Sequence, residues 1–177
     1  DDPASTEQVA RETAEAVTRA GGEGIAVRVD HGDEAEIKAL FARVQQEQGR
    51  LDILVNNASA ISLTPTTATP AKRFDLMFGV NVRATFLCSQ AAIPHLRRAR
   101  GAAVMIASRA GRTGYAALNA SPTGTKAHYA ASKAALLSLV KSLAIELAPD
   151  GVRVNAVVPG SIEGAMIPRE RWPELAA

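Results

Sequence analysis

The sequence predicts an α/β fold, a doubly wound parallel sheet, and three observations carry that prediction. Apolar patterning alternates helix and strand along the chain, the order of parallel crossover units. The run 51–55 is apolar apart from Asp52 and leads into Asn56 and Asn57, as a buried parallel strand does. Polar or turn-forming residues close every predicted strand: Asp30, Asn56, Ser108 and Pro159-Gly160. Open α/β sheets bind ligands at those ends.

Taken in order, Ser5 is a candidate cap for a helix over 6–20 with Val9 and Val17 on a thin apolar face, ended by Gly21-Gly22. Residues 24–30 alternate Ile25, Val27 and Val29, a strand pattern. Asp33 caps a second helix to about residue 48, with Ile37, Leu40, Phe41 and Val44 on its apolar face. The strand 51–55 and a loop over 59–70 follow. Thr69 as cap and Pro70 at the first helical position start a third helix to about residue 98, bent near Pro94. It is apolar on several faces, so it should meet the sheet and a further partner. A strand over 102–107 precedes a long Gly-, Ala-, Ser- and Thr-rich connection, 108–125. The fourth helix covers 127–147, again apolar on several faces; a turn at Pro149-Asp150-Gly151 leads to the strand 152–158. The tail, with Pro168, Trp172 and Pro173, reads as the start of a lid. The 177 residues form one partial domain without internal repeats.

Composition narrows the partners. A net charge of +2 is too small to imply nucleic acid. Arg97, Arg98 and Arg100 read as a solvated helix end, which suits cations. One cysteine, Cys88, excludes an internal disulfide and fits a reducing compartment, hence the cytoplasm. No apolar run is read as membrane-spanning. His31, His95 and His128 lack metal-ligand spacing, so no metal is expected. No Gly-x-Ser-x-Gly elbow is present, which disfavours a hydrolase. Two glycosylation triplets, at Asn57 and Asn119, are read as unmodified.

Tyr129 and Lys133 are four residues apart at the start of the fourth helix, on one face and one turn apart. A free phenol, with a pKa of about 10, is a poor base, and a nearby cation favours its charged form. Asn81 stands within an apolar helical run, where an amide needs a reason.

Three stretches carry a family resemblance. Residues 49–58, Gly-Arg-Leu-Asp-Ile-Leu-Val-Asn-Asn-Ala, look like the fourth strand and Asn-Asn-Ala-Gly motif of the short-chain dehydrogenase/reductase family. Residues 129–135, Tyr-Ala-Ala-Ser-Lys-Ala-Ala, look like its Tyr-x-x-x-Lys signature, and residues 151–160 like its sixth strand and following loop. The resemblance implies a Rossmann-like fold and an oxidoreductase passing hydride between NAD or NADP and a small alcohol or ketone. It implies Tyr129 as general acid/base, Lys133 as its charge partner and holder of the nicotinamide ribose, and Ser108 as the group orienting the substrate oxygen. It gives Asn81 a proton-relay water and Asp30 the adenine, with Asn56, Ala58, Pro159, Gly160 and Ile162 along the cofactor cleft. It also implies a homodimer or homotetramer through the third and fourth helices.

Four departures bear on these roles. The family's Gly-rich turn after its first strand is absent, which reads as a chain lacking the first two strands and the last. Strand 24–30 is then expected to lack a neighbour and strand 51–55 to keep an open edge. Ser59 stands where the family has Gly, and Gly164 where Thr often follows Pro-Gly. Ser108 and Tyr129 are 21 residues apart, a longer spacing than the family's, with Ser121 the substitute candidate for Ser108. A non-catalytic nucleotide-binding or scaffold protein of the same fold, or an inactive fragment, is the alternative.

Overall fold

The computed structural model describes residues 3–62, 64–114, 126–163 and 169–171. Three parallel strands form the sheet in the order β1 (Ile53–Asn56), β2 (Ala102–Ile106), β3 (Arg153–Val157). The helices are α1 (Pro3–Arg19), α2 (Glu34–Gln48), α3 (Ala71–Phe78), α4 (Thr85–Ala99), the short α5 (Ala110–Thr113) and α6 (Ala127–Leu147).

The sheet register follows apolar alternation. Leu54, Ala103 and Val154 lie side by side across the three strands, with Asn56, Met105 and Ala156 in the next row toward the carboxyl ends. Residues two apart on a strand share a face, so both rows belong to one face. Ala103, Met105 and Val154 are buried there with Ile37 and Phe41 of α2, Cys88, Ala92 and Leu96 of α4, and Leu143 and Leu147 of α6. The opposite face exposes Ile53, Val55 and Val157. The doubly wound arrangement is therefore present as one covered layer among the described residues.

Residues 24–30 pair with no strand among the described residues. The expected lack of a neighbour is found, and with no partner to exchange hydrogen bonds with, the segment does not form the predicted strand. Val9 and Val17 of α1 are likewise exposed. Helix α1 begins at Pro3, ahead of the proposed Ser5 cap. The reading of α2 holds: the Asp33 side chain accepts from the amides of Ala35 and Glu36, and Gly49 ends the helix in the left-handed region at φ 69°.

The third predicted helix differs in two respects. Pro70, extended at ψ 147°, is its N-cap, while the Thr69 hydroxyl donates to the Pro65 carbonyl at 2.7 Å. The hydroxyl serves the preceding turn, so it is not spent on the helix. The second difference is the break, which is a π-helical turn, Gly79–Ala84, between α3 and α4; Pro94 stays inside α4. The segment Ala71–Ala99 is also long and apolar enough, by length and composition, to span a membrane, contrary to the sequence reading. Ala84, Cys88, Ala92 and Leu96 of this segment lie in the sheet core, which accounts for its apolarity.

Helix α5 follows Ser108 and lies against α6. A β-carbon at Gly111 would stand 2.6 Å from the Lys133 carbonyl carbon and 2.7 Å from the Ala134 nitrogen. Both are backbone atoms and have no side-chain freedom with which to yield. Gly111→Ala is expected to lower stability by about 1–3 kcal/mol by overpacking, read as a lower urea midpoint at unchanged m-value; an unchanged midpoint would show that α5 is not seated on α6.

Candidate active site

Helix α6 is entered through Lys126, whose backbone is left-handed at φ 47°. Its buried stripe starts with His128, Ser132 and Lys133 and continues through Leu136, Leu143 and Leu147. Tyr129 is half-buried beside that stripe. The Lys133 ammonium lies 5.8 Å from the Tyr129 ring centroid, so the predicted pair forms. Lys133 is 2% exposed and donates to the Ile106 carbonyl at 2.8 Å. Burial pushes its amine below the ordinary lysine range. The ammonium is thus tied to the carboxyl end of β2, two residues before Ser108.

Ser108 is half-buried, and its Oγ accepts from the Ala110 amide at 3.2 Å. That bond opens α5, which Gly111 seats against the Lys133 turn of α6. Ser108 and Lys133 are therefore joined through two independent routes, one through β2 and one through α5.

Asn81 occupies the π-turn and is fully buried. Its Oδ1 accepts from the Ala60 amide at 2.7 Å and the Ser59 hydroxyl at 3.2 Å. Its Nδ2 donates to the Ala60 carbonyl at 3.0 Å and to Ser132 Oγ at 2.9 Å, with Met77 Sδ at 3.2 Å. One amide therefore clamps both backbone groups of Ala60, in the loop after β1, and reaches α6. The Asn81 carbonyl accepts from the Thr85 hydroxyl at 2.9 Å. Ser59, the departure from the family glycine, is absorbed into this clamp.

At the end of β1, Asn56 Nδ2 donates to Ser89 Oγ at 3.2 Å, and Ser89 donates to the Thr85 carbonyl at 2.7 Å. Ala58 is exposed. The Pro159 carbonyl accepts from the Arg109 amide at 2.9 Å, which ties the end of β3 to the residue after Ser108. Gly160 is exposed with open space about it, and Ile162 is 65% exposed. The parallel register thus gathers Asn56, Ser108 and Pro159-Gly160 along one edge of the sheet. Asp30 is apart from this group in its bonding: its carboxylate accepts from the Gly32 amide at 2.7 Å, the plain turn-forming role. Ser121, Gly164 and the Asn119 triplet lie outside the described residues.

The sequence gives no sign of the roles of Ser132, Thr85 and Ser89, and it marks Ser59 only as a departure from the family glycine. The available signal was small hydroxyls at helical spacing inside apolar runs, which reads equally as helix filler. His128 is buried with both ring nitrogens unpartnered among the described residues. Within the described residues no group of three metal-ligating side chains occurs.

The family model for short chain dehydrogenase matches residues 3–174. A 2-(R)-hydroxypropyl-CoM dehydrogenase of Xanthobacter autotrophicus is 38% identical over 157 residues, covering 84% of this chain and 58% of that protein. A 7α-hydroxysteroid dehydrogenase solved with NADH and 7-oxo glycochenodeoxycholic acid superposes with a TM-score of 0.78 at 29% identity, covering 88% of this chain and 58% of that one. A metagenomic short-chain oxidoreductase in complex with NADP gives a TM-score of 0.77 at 32% identity, covering 88% and 68% respectively. The chain spans little more than half the length of the curated dehydrogenase it matches.

The buried ammonium has a stability consequence. Its folded pKa lies below its unfolded value, so between the two values the unfolded chain binds more protons and stability rises with pH. Below that window the folded state carries the whole penalty of a desolvated cation. Lys133→Met removes the penalty and is expected to raise stability near neutral pH by on the order of 1 kcal/mol. The gain should shrink as pH climbs toward about 10.4. Urea denaturation at neutral and alkaline pH reads both effects, and a less stable methionine variant at neutral pH would contradict the assignment.

Proposed function

The chain belongs to the short-chain dehydrogenase family, and we propose that it acts as an NAD(P)-dependent oxidoreductase on a small alcohol or ketone. The observation that carries this reading is the buried Lys133 ammonium, fastened to the end of β2 and one helical turn from the Tyr129 phenol.

Each residue then has a defined task. Tyr129 gives a proton to the substrate oxygen in one direction and takes it in the other. The Lys133 charge stabilises negative charge developing on the phenol oxygen. Ser108, at the mouth of β2, donates to the substrate oxygen and orients it. Asn81 holds the loop after β1 against α6 and keeps these groups in register. A nicotinamide cofactor fits the donor set, because an ammonium carries three donors and the Ile106 carbonyl engages one of those of Lys133. The other N–H groups would hold the ribose hydroxyls. Asn56, Ala58, Pro159, Gly160 and Ile162 would line the cleft along the strand ends. Asp30 would reach the adenine through its exposed carboxylate. When bound, the cofactor supplies or accepts the hydride. Either NAD or NADP is compatible with this reading, since the similar structures hold NADH in one case and NADP in another. Placement in the cytoplasm is part of the same proposal and rests on the single cysteine, Cys88.

Tyr129→Phe is expected to lower kcat by about 10²–10⁴-fold while leaving the cofactor dissociation constant within about twofold of the parent. Steady-state kinetics and fluorescence titration measure the two. Unchanged turnover would sink the enzyme reading.

The same proposal includes self-association. Phe74 and Phe78 stack at 4.5 Å between centroids, and Phe74, Leu76 and Phe86 are exposed. A groove of about 970 Å³ between the α3–α4 segment and α6 is lined by Phe78, Val82, Phe86 and Leu139. Asp75, Arg83, Ser138 and Ser142 also line the groove, and exposed aromatic and aliphatic side chains with polar neighbours are what an interface uses, which supports a homodimer or homotetramer packed through these helices. Phe86→Glu should convert the assembly to monomer in sedimentation velocity; a parent protein that already sediments as a monomer would count against the proposal.

A further inference from the structure

Helix α6 is held at its catalytic turn by two neighbouring residues that bond in different directions. Lys133 bonds toward the sheet, to the Ile106 carbonyl at 2.8 Å. Ser132 bonds toward the π-turn, where its Oγ accepts from Asn81 Nδ2 at 2.9 Å. The same Oγ donates to the Tyr129 carbonyl at 2.8 Å. Ser132 is fully buried, so no water competes for these bonds.

A serine inside a helix ordinarily donates back to a carbonyl three or four residues earlier and adds little. Here that back-bond ends on Tyr129, and the oxygen lone pair is engaged by a residue 51 positions away. Consecutive helical residues point about 100° apart. Two fastenings on adjacent residues therefore fix the rotation of the turn about its own axis, which one fastening alone would leave free. Tyr129 lies three residues before Ser132 and four before Lys133, so its phenol follows that rotation.

We infer that Ser132 is a positioning residue for the acid/base step: through Asn81 it sets the rotation of the turn that carries Tyr129. The inference rests on the oxidoreductase reading above. Ser132 acts through Tyr129 and touches neither substrate nor cofactor. Its loss need not unfold the helix, because Asn81 Nδ2 keeps the Ala60 carbonyl at 3.0 Å and Oδ1 keeps its amide partner.

Ser132→Ala is the test, made in the active protein with Asn81→Ala and the double variant completing a cycle. The expected result is a kcat lower by roughly fivefold to tenfold. KM, the cofactor dissociation constant by fluorescence titration, and Tm should stay near the parent values. The midpoint of the kcat–pH profile should move in Ser132→Ala and move no further when that change is added to Asn81→Ala, since the two residues act as one unit. An unchanged kcat with an unchanged pH profile would overturn the inference. So would a loss explained wholly by a lower Tm, or full additivity of the two variants. If Ser132→Ala does not fold, Ser132→Cys, whose thiol is a weaker donor and acceptor, is expected to lower kcat by a smaller factor with the pH midpoint moved the same way, and a parent-like kcat and pH profile would overturn the inference. Tyr129→Phe separates the two levels: normal turnover in that variant defeats the oxidoreductase reading, whereas an inactive Tyr129→Phe beside an unaffected Ser132→Ala defeats only the role of Ser132.

Discussion

A buried carboxamide sets the terms for the site. Asn81 is sealed from water on an otherwise apolar helix, and an amide left unpaired there would cost on the order of 1–3 kcal/mol. It is paired on both ends. The oxygen and nitrogen grip the amide and carbonyl of Ala60, and the nitrogen also reaches Ser132. Three segments distant in sequence are thus held at one point: the loop after β1, the π-turn and the start of α6. The π-turn is the local distortion at which this residue sits, and the Thr85 hydroxyl bonds the Asn81 carbonyl there.

The second fastening is electrostatically costly. An ammonium drawn out of water onto a neutral carbonyl loses hydration that one hydrogen bond does not restore. Its lowered pKa has the same origin. Such a group costs the fold stability, and perturbed groups of this kind cluster at functional sites. Around it the fold uses backbone proximity: Gly111 lets α5 lie directly on the Lys133 turn, and Ser108 opens α5. The Ser108 hydroxyl, the Tyr129 phenol and the Lys133 ammonium are consequently mounted on elements packed directly against one another.

Much of this was legible in the residues. Helix α6 has the bounds that its apolar run predicts, and Asp33 caps α2 as read. The three strands at 53–56, 102–106 and 153–157 lie within or one residue beyond the expected runs. The failures share a cause. Residues 24–30 have strand periodicity but no ladder partner among the described residues. Thr69 has cap chemistry but spends its hydroxyl on the preceding turn. The π-turn leaves no periodic mark, because one extra residue in a helix apolar on every side does not change which positions are apolar.

The sequence by itself determined the alternating order, the identity of the Tyr129–Lys133 pair and the strand-end residues, because these depend on local periodicity and on side-chain chemistry. Tertiary structure alone decided which hydroxyls matter. Ser59, Thr85, Ser89 and Ser132 are ordinary small polar residues in the string. They become a continuous set of bonds from Asn56 to Tyr129 only when β1, the π-turn and α6 are brought together. A hydrogen bond is defined by two partners, and for three of these six the partner comes from a different segment of the chain.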